Sequence, residues 1–166
     1  DVSEWLDTDL DGIGNNLDTE DDGDEVLDNL DLFPLNSAEW QDTDVDGIGN
    51  NADSDDDNDG VRDIDDAFPL DPIETTDTDL DGLGNVIDND DDGDGIVDPD
   101  DAFPLDSSET IDTDNDGTGN NTDTDDDGDG VSDTIDPFPL DSSEAFDTDG
   151  DGIGNNTDTD DDGDGV

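Results

Sequence analysis

The sequence predicts a tandem-repeat array without an ordinary hydrophobic core, held together by something it binds. Three observations lead there. A 35-residue unit recurs without insertion or deletion, only 25% of residues are hydrophobic, and 60 acidic residues face one basic residue, Arg62, for a formal net charge of -59. Such a composition normally reads as disorder, and self-repulsion opposes any compact state. The register argues the other way, because a random acidic tail would not hold it.

The repeat is legible from several markers. Phe-Pro occurs at Phe33, Phe68, Phe103 and Phe138, and Asp-Thr-Asp starts at Asp7, Asp42, Asp77, Asp112 and Asp147. Glu4, Glu39, Glu74, Glu109 and Glu144 keep the same spacing. The units are residues 1–35, 36–70, 71–105, 106–140 and a truncated 141–166. The chain starts at the phase of Asn36, ends at that of Val131 and lacks an initiator Met, so it reads as a cut through a longer array. The absence of a visible signal peptide is then uninformative.

Composition also restricts partners. Nucleic acid is unfavourable, because phosphate contacts need Lys and Arg. An anionic membrane surface would repel the chain, and no apolar run is long enough to span a bilayer. With no Cys, disulfides are excluded and the redox compartment is unreadable.

Within each repeat the acidic residues fall into two loops. In the third repeat, Asp77, Asp79, Asp81 and Asp88 take loop positions 1, 3, 5 and 12, with Gly82 at 6, the Leu83 carbonyl at 7 and Asn85 at 9. That is the ligand spacing of the EF-hand calcium loop, with Asp in place of Glu at position 12. Alternating Asp residues let a curled backbone aim side chains at one centre, and glycine supplies the sharp turn. Hard oxygen ligands without His or Cys select calcium over zinc or copper. Magnesium is disfavoured because it dehydrates reluctantly. One residue later comes a second loop, with Asp90, Asp92, Asp94, the Ile96 carbonyl, Asp98 and Asp101 as candidate ligands, and Asp91 between them.

The other repeats carry the same candidates. The first has Asp7, Asp9, Asp11, Ile13, Asn15 and Asp18, then Glu20, Asp22, Asp24, Asp28 and Asp31. The second has Asp42, Asp44, Asp46, Ile48, Asn50 and Asp53, then Asp55, Asp56, Asp57, Asp59, Val61, Asp63 and Asp66. The fourth has Asp112, Asp114, Asp116, Thr118, Asn120 and Asp123, then Asp125, Asp126, Asp127, Asp129, Val131, Asp133 and Asp136. The fifth has Asp147, Asp149, Asp151, Ile153, Asn155 and Asp158, then Asp160, Asp161, Asp162 and Asp164. The weakest loop is the second one of the first repeat, where Glu20 takes position 1 and Glu25 replaces the turn glycine. One ion in each complete loop would leave most of the charge uncompensated. More ions than loops are therefore expected, with Asp21, Asp56, Asp91, Asp126 and Asp161 helping to hold them.

EF-hands need a helix on each side of the loop. Here the loops nearly abut, and the connector 105–111 is too short for a normal helix; Asp106 and Glu109 cap at most a single turn. Gly14, Gly49, Gly84, Gly119 and Gly154 stand where paired EF-hands place an apolar residue. A calmodulin-like or dockerin-like fold is rejected.

The segments Asp-Thr-Asp-Leu-Asp-Gly-Leu-Gly-Asn (77–85), Asp-Asp-Asp-Gly-Asp-Gly-Ile (90–96) and Asp-Ala-Phe-Pro-Leu-Asp (101–106) resemble the thrombospondin type 3 repeat in its bacterial-style, cysteine-free form. The resemblance covers essentially the whole chain. It implies an irregular, calcium-stabilised tandem-repeat array, with little regular helix or strand, wrapped around closely spaced ions and extended as a rod. Where that family has its first Cys this chain has Leu17, Ala52, Ile87, Thr122 and Thr157; where it has the second, Phe33, Phe68, Phe103 and Phe138. A small apolar contact around each Phe is expected to replace the disulfide. Its expected companions are Val26, Val61, Ile96 and Val131, with Leu35, Leu70, Leu105 and Leu140. Phe103 should then lie near Ile87 or Ile96.

Trp5, Trp40 and Phe146 occupy a variable slot before the first Asp. Two roles suit them: packing on the adjacent repeat, or contact with another chain. Asn120 and Asn155 match the N-glycosylation sequon, but they are also loop position 9, which favours a structural or liganding role.

No catalytic set is present: there is no His, Cys, Lys or Tyr, and Arg62 is not repeated. Paired carboxylates abound, as a glycosidase needs, but they are periodic and calcium accounts for them. Two non-enzymatic classes remain. One is a structural stalk or filament body of an extracellular or cell-surface protein, linked to adhesion, with other copies of the same chain as candidate partners. The other is a calcium reservoir or mineral-binding acidic polymer. Strict register and the repeated Phe-Pro favour the first.

Overall fold

A computed structural model describes residues 6–165 of the chain. Glu4 and Trp5 lie outside the described residues. Among those described, the one regular element is a single 3-10 turn, Asp98–Asp100, with Pro99 in its first turn; there is no strand. The chain divides into two units, residues 1–77 with 81–87, and residues 78–80 with 88–166.

The aspartates themselves prevent regular structure. Asp114 Oδ1 accepts the N–H of Asp116 at 2.9 Å, and Asp116 Oδ1 accepts that of Thr118 at 2.8 Å. Asp127 and Asp129 do the same for Asp129 and Val131, at 3.1 and 2.7 Å. Each such bond closes a local turn and takes a backbone donor that a helix or ladder would have used. The chain therefore curls at every second residue through the loops.

Left-handed backbone completes the curl. Position 6 is left-handed in every described loop, as at Gly117, with φ 94°. Position 4 is left-handed as well, and there the residue is often not glycine: Leu10, Val45, Leu80 and Asn115 have φ between 63° and 67°. Val45 is β-branched, so this conformation is strained for it.

The interior is inverted relative to an ordinary domain. No hydrophobic side chain is buried among the described residues. The buried charged residues are Asp22, Asp31, Asp57, Asp92, Asp127 and Asp136, with Glu39, Glu74, Glu109 and Glu144. None of the residues expected in the small apolar contact around each Phe is buried. Phe33, Phe68, Phe103 and Phe138 are half-buried, and Leu35, Leu70, Leu105 and Leu140 are more than half exposed. The buried side chains are carboxylates. Trp40 and Phe146 are also exposed.

Instead, the Phe-Pro step makes a turn. Asp106 N–H donates to the Phe103 carbonyl at 2.9 Å, with Pro104 second in the turn, where its fixed φ is favourable. Asp101 Oδ1 accepts the Phe103 N–H at 2.8 Å, and the Thr110 carbonyl accepts the Ala102 N–H at 3.2 Å. Ser108 donates its N–H and hydroxyl to Asp106 Oδ1, at 3.1 and 2.6 Å, which lowers the pKa of Asp106. The connector is thus two successive turns, the second closed by Glu109 N–H on the Asp106 carbonyl at 2.9 Å. It delivers Glu109 onto the following loop.

Candidate metal centre

The sequence-predicted ligands at positions 1, 3 and 5 converge. Asp7, Asp9 and Asp11 bring one oxygen each within 4.8 Å of one another, as do Glu20, Asp22 and Asp24, then Asp42, Asp44 and Asp46, then Asp55, Asp57 and Asp59. Local hydrogen bonds decide which oxygen points inward. In the fourth repeat Asp125 gives Oδ2 to the Gly130 N–H at 3.0 Å, and its Oδ1 is buried with no partner. Asp127 uses Oδ1 for the Asp129 N–H, and its Oδ2 is buried without a partner. Asp136, at position 12, uses Oδ1 for the Phe138 N–H at 2.7 Å, and its Oδ2 is likewise alone.

This division of labour recurs. Buried, unpartnered inward oxygens are found at position 1 in Asp7, Asp42, Asp55, Asp90 and Asp112. They are found at position 3 in Asp22, Asp57 and Asp92, and at position 12 in Asp31, Asp66 and Asp101. In Asp42, Asp90 and Asp112, and in the aspartates at positions 3 and 12, one oxygen accepts a backbone N–H and the other is buried without a partner.

The position-9 side chains hold the loops closed. Asn120 Oδ1 accepts the Thr113 N–H at 3.0 Å, while its Nδ2 donates to Thr113 Oγ1 at 2.7 Å; Asn50 does the same with Thr43. In the second loops an Asp stands there, and Asp133 Oδ1 accepts the Asp126 N–H at 2.9 Å, as Asp63 does for Asp56. At position 12 of the first loops, Asp123 Oδ1 accepts the N–H groups of Thr124 and Asp125 at 2.6 and 3.0 Å. That turn starts the second loop directly from the end of the first.

The two loops of a repeat also pack on each other. Any Cβ on Gly128, at position 4 of the second loop, would press on the Asp114 side chain of the first. Arg62 takes no part in this; it pairs with Asp65 on the surface.

A buried carboxylate without a partner is costly, and several together are more so. The cost registers in proton affinity. Burial, ahead of any neighbouring charge, pushes the pKa of Asp57, Asp92 and Asp127 up from the ordinary aspartate value. A hard divalent cation removes the whole difficulty at once, because calcium accepts six to eight oxygens, including carboxylates. The donor set is all oxygen and anionic, so the residues fit that ion.

One register residue was assigned no part in the loops from sequence. Glu39, Glu74, Glu109 and Glu144 are buried, and each gives Oε2 to a backbone N–H twelve residues on: Asn51, Val86, Asn121 and Asn156, at 2.9–3.0 Å. A Cβ on Gly49, Gly84, Gly119 or Gly154 would collide with that carboxylate, which explains the glycine at position 8. The exact spacing of Glu and Gly was the available signal.

Residues 111–143 match the family described as the thrombospondin type 3 repeat. The matched segment contains both loops of the fourth repeat and its Phe-Pro turn, the unit that recurs in register along the chain. No curated protein is significantly similar to the chain.

Proposed function

We propose that this thrombospondin type 3 repeat array is a calcium-rigidified structural element, the stalk or filament body of an extracellular or cell-surface protein. The calcium-binding repeat at 111–143 is the premise. The observation that carries the reading further is the inverted interior, in which buried carboxylate oxygens without partners stand where an apolar core would be. Such an interior is stable only when cations fill it. Each ion bound by the folded state alone stabilises that state by mass action.

Extracellular modules of this kind bind calcium at roughly 0.1–1 mM. Cytosolic calcium would leave such sites empty, which favours an extracellular or cell-surface location. The role is mechanical and not enzymatic, since the carboxylates recur periodically and no singular constellation stands apart from them. At least two ions per repeat are expected, with the candidate ligands as given by loop position.

Removal of calcium tests this. Chelation should abolish the near-UV circular dichroism signal of the aromatic residues and open the chain to protease throughout. An unchanged spectrum and cleavage pattern would defeat the proposal. Solution scattering on the loaded form separates a stalk from a loose reservoir polymer, since a rod and a coil scatter differently.

A further inference from the structure

The Phe-Pro turn carries a surface that the calcium loops leave unused. Phe103, Pro104, Leu105 and Asp106 line a shallow, open hollow of about 230 Å³ with an almost wholly apolar wall. The hollow recurs at residues 68–71, 33–36 and 138–141, with volumes of about 260 to 280 Å³. In each, Phe and Pro are half-buried and Leu is more than half exposed. Small-molecule pockets usually measure roughly 300–1,000 Å³, so each hollow is sized for a single side chain.

Three of the four hollows end on a carboxylate held in place. Ser108 donates its N–H and hydroxyl to Asp106 Oδ1, at 3.1 and 2.6 Å, and Ser143 does the same for Asp141. These bonds keep both carboxyls below the ordinary aspartate pKa. Asp71 Oδ1 accepts the Ile73 N–H at 3.2 Å. The turn thus takes one oxygen and leaves Oδ2 for a donor from outside. None of the three stands at a loop ligand position, so calcium in the loops does not neutralise them. In the first repeat the corresponding residue is the uncharged Asn36.

We infer that each hollow ending on an Asp docks one apolar side chain of a protein partner, with a neighbouring Lys or Arg of that partner on the carboxylate. Charge decides the occupant. A second copy of this chain cannot supply the cation, because its one basic residue, Arg62, pairs with its own Asp65. A purely apolar segment would cover the carboxylate without pairing it, which is costly. The partner is therefore a polypeptide that sets basic residues beside apolar ones.

Nuclear magnetic resonance of the calcium-loaded full chain tests this, with the capped synthetic peptide Gly-Leu-Arg-Gly as probe. Saturable shifts are expected at the amides of Phe103, Leu105 and Asp106. The equally charged Gly-Ser-Arg-Gly should bind at least about threefold more weakly, having no apolar group to bury. The Asn36 hollow should bind the leucine peptide about two- to fivefold more weakly than the Asp106 hollow, the worth of an exposed ion pair. Asp106→Asn keeps an acceptor for Ser108 and should bring its hollow down to the Asn36 level. Equal affinity for the two peptides, equal affinity of the Asp106 and Asn36 hollows, or shifts spread evenly over the acidic residues would overturn the inference, leaving only attraction to a polyanion. Hollow amides that shift with the concentration of the chain alone would overturn it in favour of self-contact.

Discussion

The second loop of the first repeat and that of the fourth share a plan and differ at the first ligand and at the turn position, 1 and 6. In the fourth, Asp125 reaches the Gly130 N–H with one oxygen and leaves the other buried and unpartnered. In the first, the longer Glu20 turns back on its own loop, and Oε1 accepts the N–H groups of Gly23 and Asp24 at 2.8 and 3.2 Å. Position 6 is Gly130 at φ 93° in one and Glu25 at φ 74° in the other. Buried oxygens without partners on Asp22 and Asp31 have counterparts on Asp127 and Asp136, and Asp24 Oδ2 adds another in the first repeat. Positions 1 and 6 therefore act as a pair. In the fourth repeat the position-6 N–H orients the short Asp125, and in the first Glu20 instead caps its own loop.

The largest expected difference comes from removing an inward oxygen. Asp127→Asn should lose the ion of its loop and, at calcium a hundredfold above the dissociation constant, about 2.7 kcal/mol of local stability. Asp22→Asn should cost less, because its loop holds calcium more weakly to begin with. Limited proteolysis mapped along the chain, at falling calcium, measures both; equal effects would remove the distinction between the loops. In a quasi-one-dimensional array the damage should stay near the altered repeat.

Restoring the pair should erase the difference. Glu20→Asp with Glu25→Gly gives the first repeat the ligand and turn of the fourth. A left-handed L-residue costs roughly 1–2 kcal/mol, part of which glycine returns as chain entropy. A net gain on the order of 1 kcal/mol is expected, with calcium affinity of that loop rising toward its counterpart. Calcium titration of protease resistance in the first repeat reads the change, and no gain would show that the two positions do not act together.

The mildest effect is one of sign. The Asp127 and Asp57 pKa values are raised in the fold, so without calcium the folded chain holds protons that the unfolded chain has released. Ion-free stability is then greatest below the ordinary value of 3.8 and falls as pH rises through the raised folded values. With calcium in excess the dependence reverses, because the ligands must be deprotonated to bind. Circular dichroism of calcium-free and calcium-saturated protein across this window should give slopes of opposite sign. Parallel slopes would contradict the assignment of these buried carboxylates to the ion.

Much of this was legible before any coordinates. The 35-residue register, the Asp ladder and the position-6 glycine state the loop chemistry directly, because each ligand lies close in sequence to the next. The hidden parts depend on the chain folding back. Glu109 acquires its place from Asn121, twelve residues away, and from the missing Cβ of Gly119, which no local pattern reveals. The left-handed backbone at Leu10, Val45 and Leu80 runs against the preferences of those residues, so sequence pointed elsewhere. The buried side chains are carboxylates, and Phe103 is half-covered beside its turn.

The inverted interior carries a calorimetric consequence. The heat-capacity increase on unfolding arises from newly hydrated apolar surface, and polar surface contributes with the opposite sign. With no apolar side chain buried among the described residues, that increase should be small for a chain of this length. The stability curve of the loaded protein against temperature should then be shallow, without the pronounced dome of an oily core, and cold should do little to loosen it. Such a chain would keep its fold across a wide thermal range, as long as calcium remained.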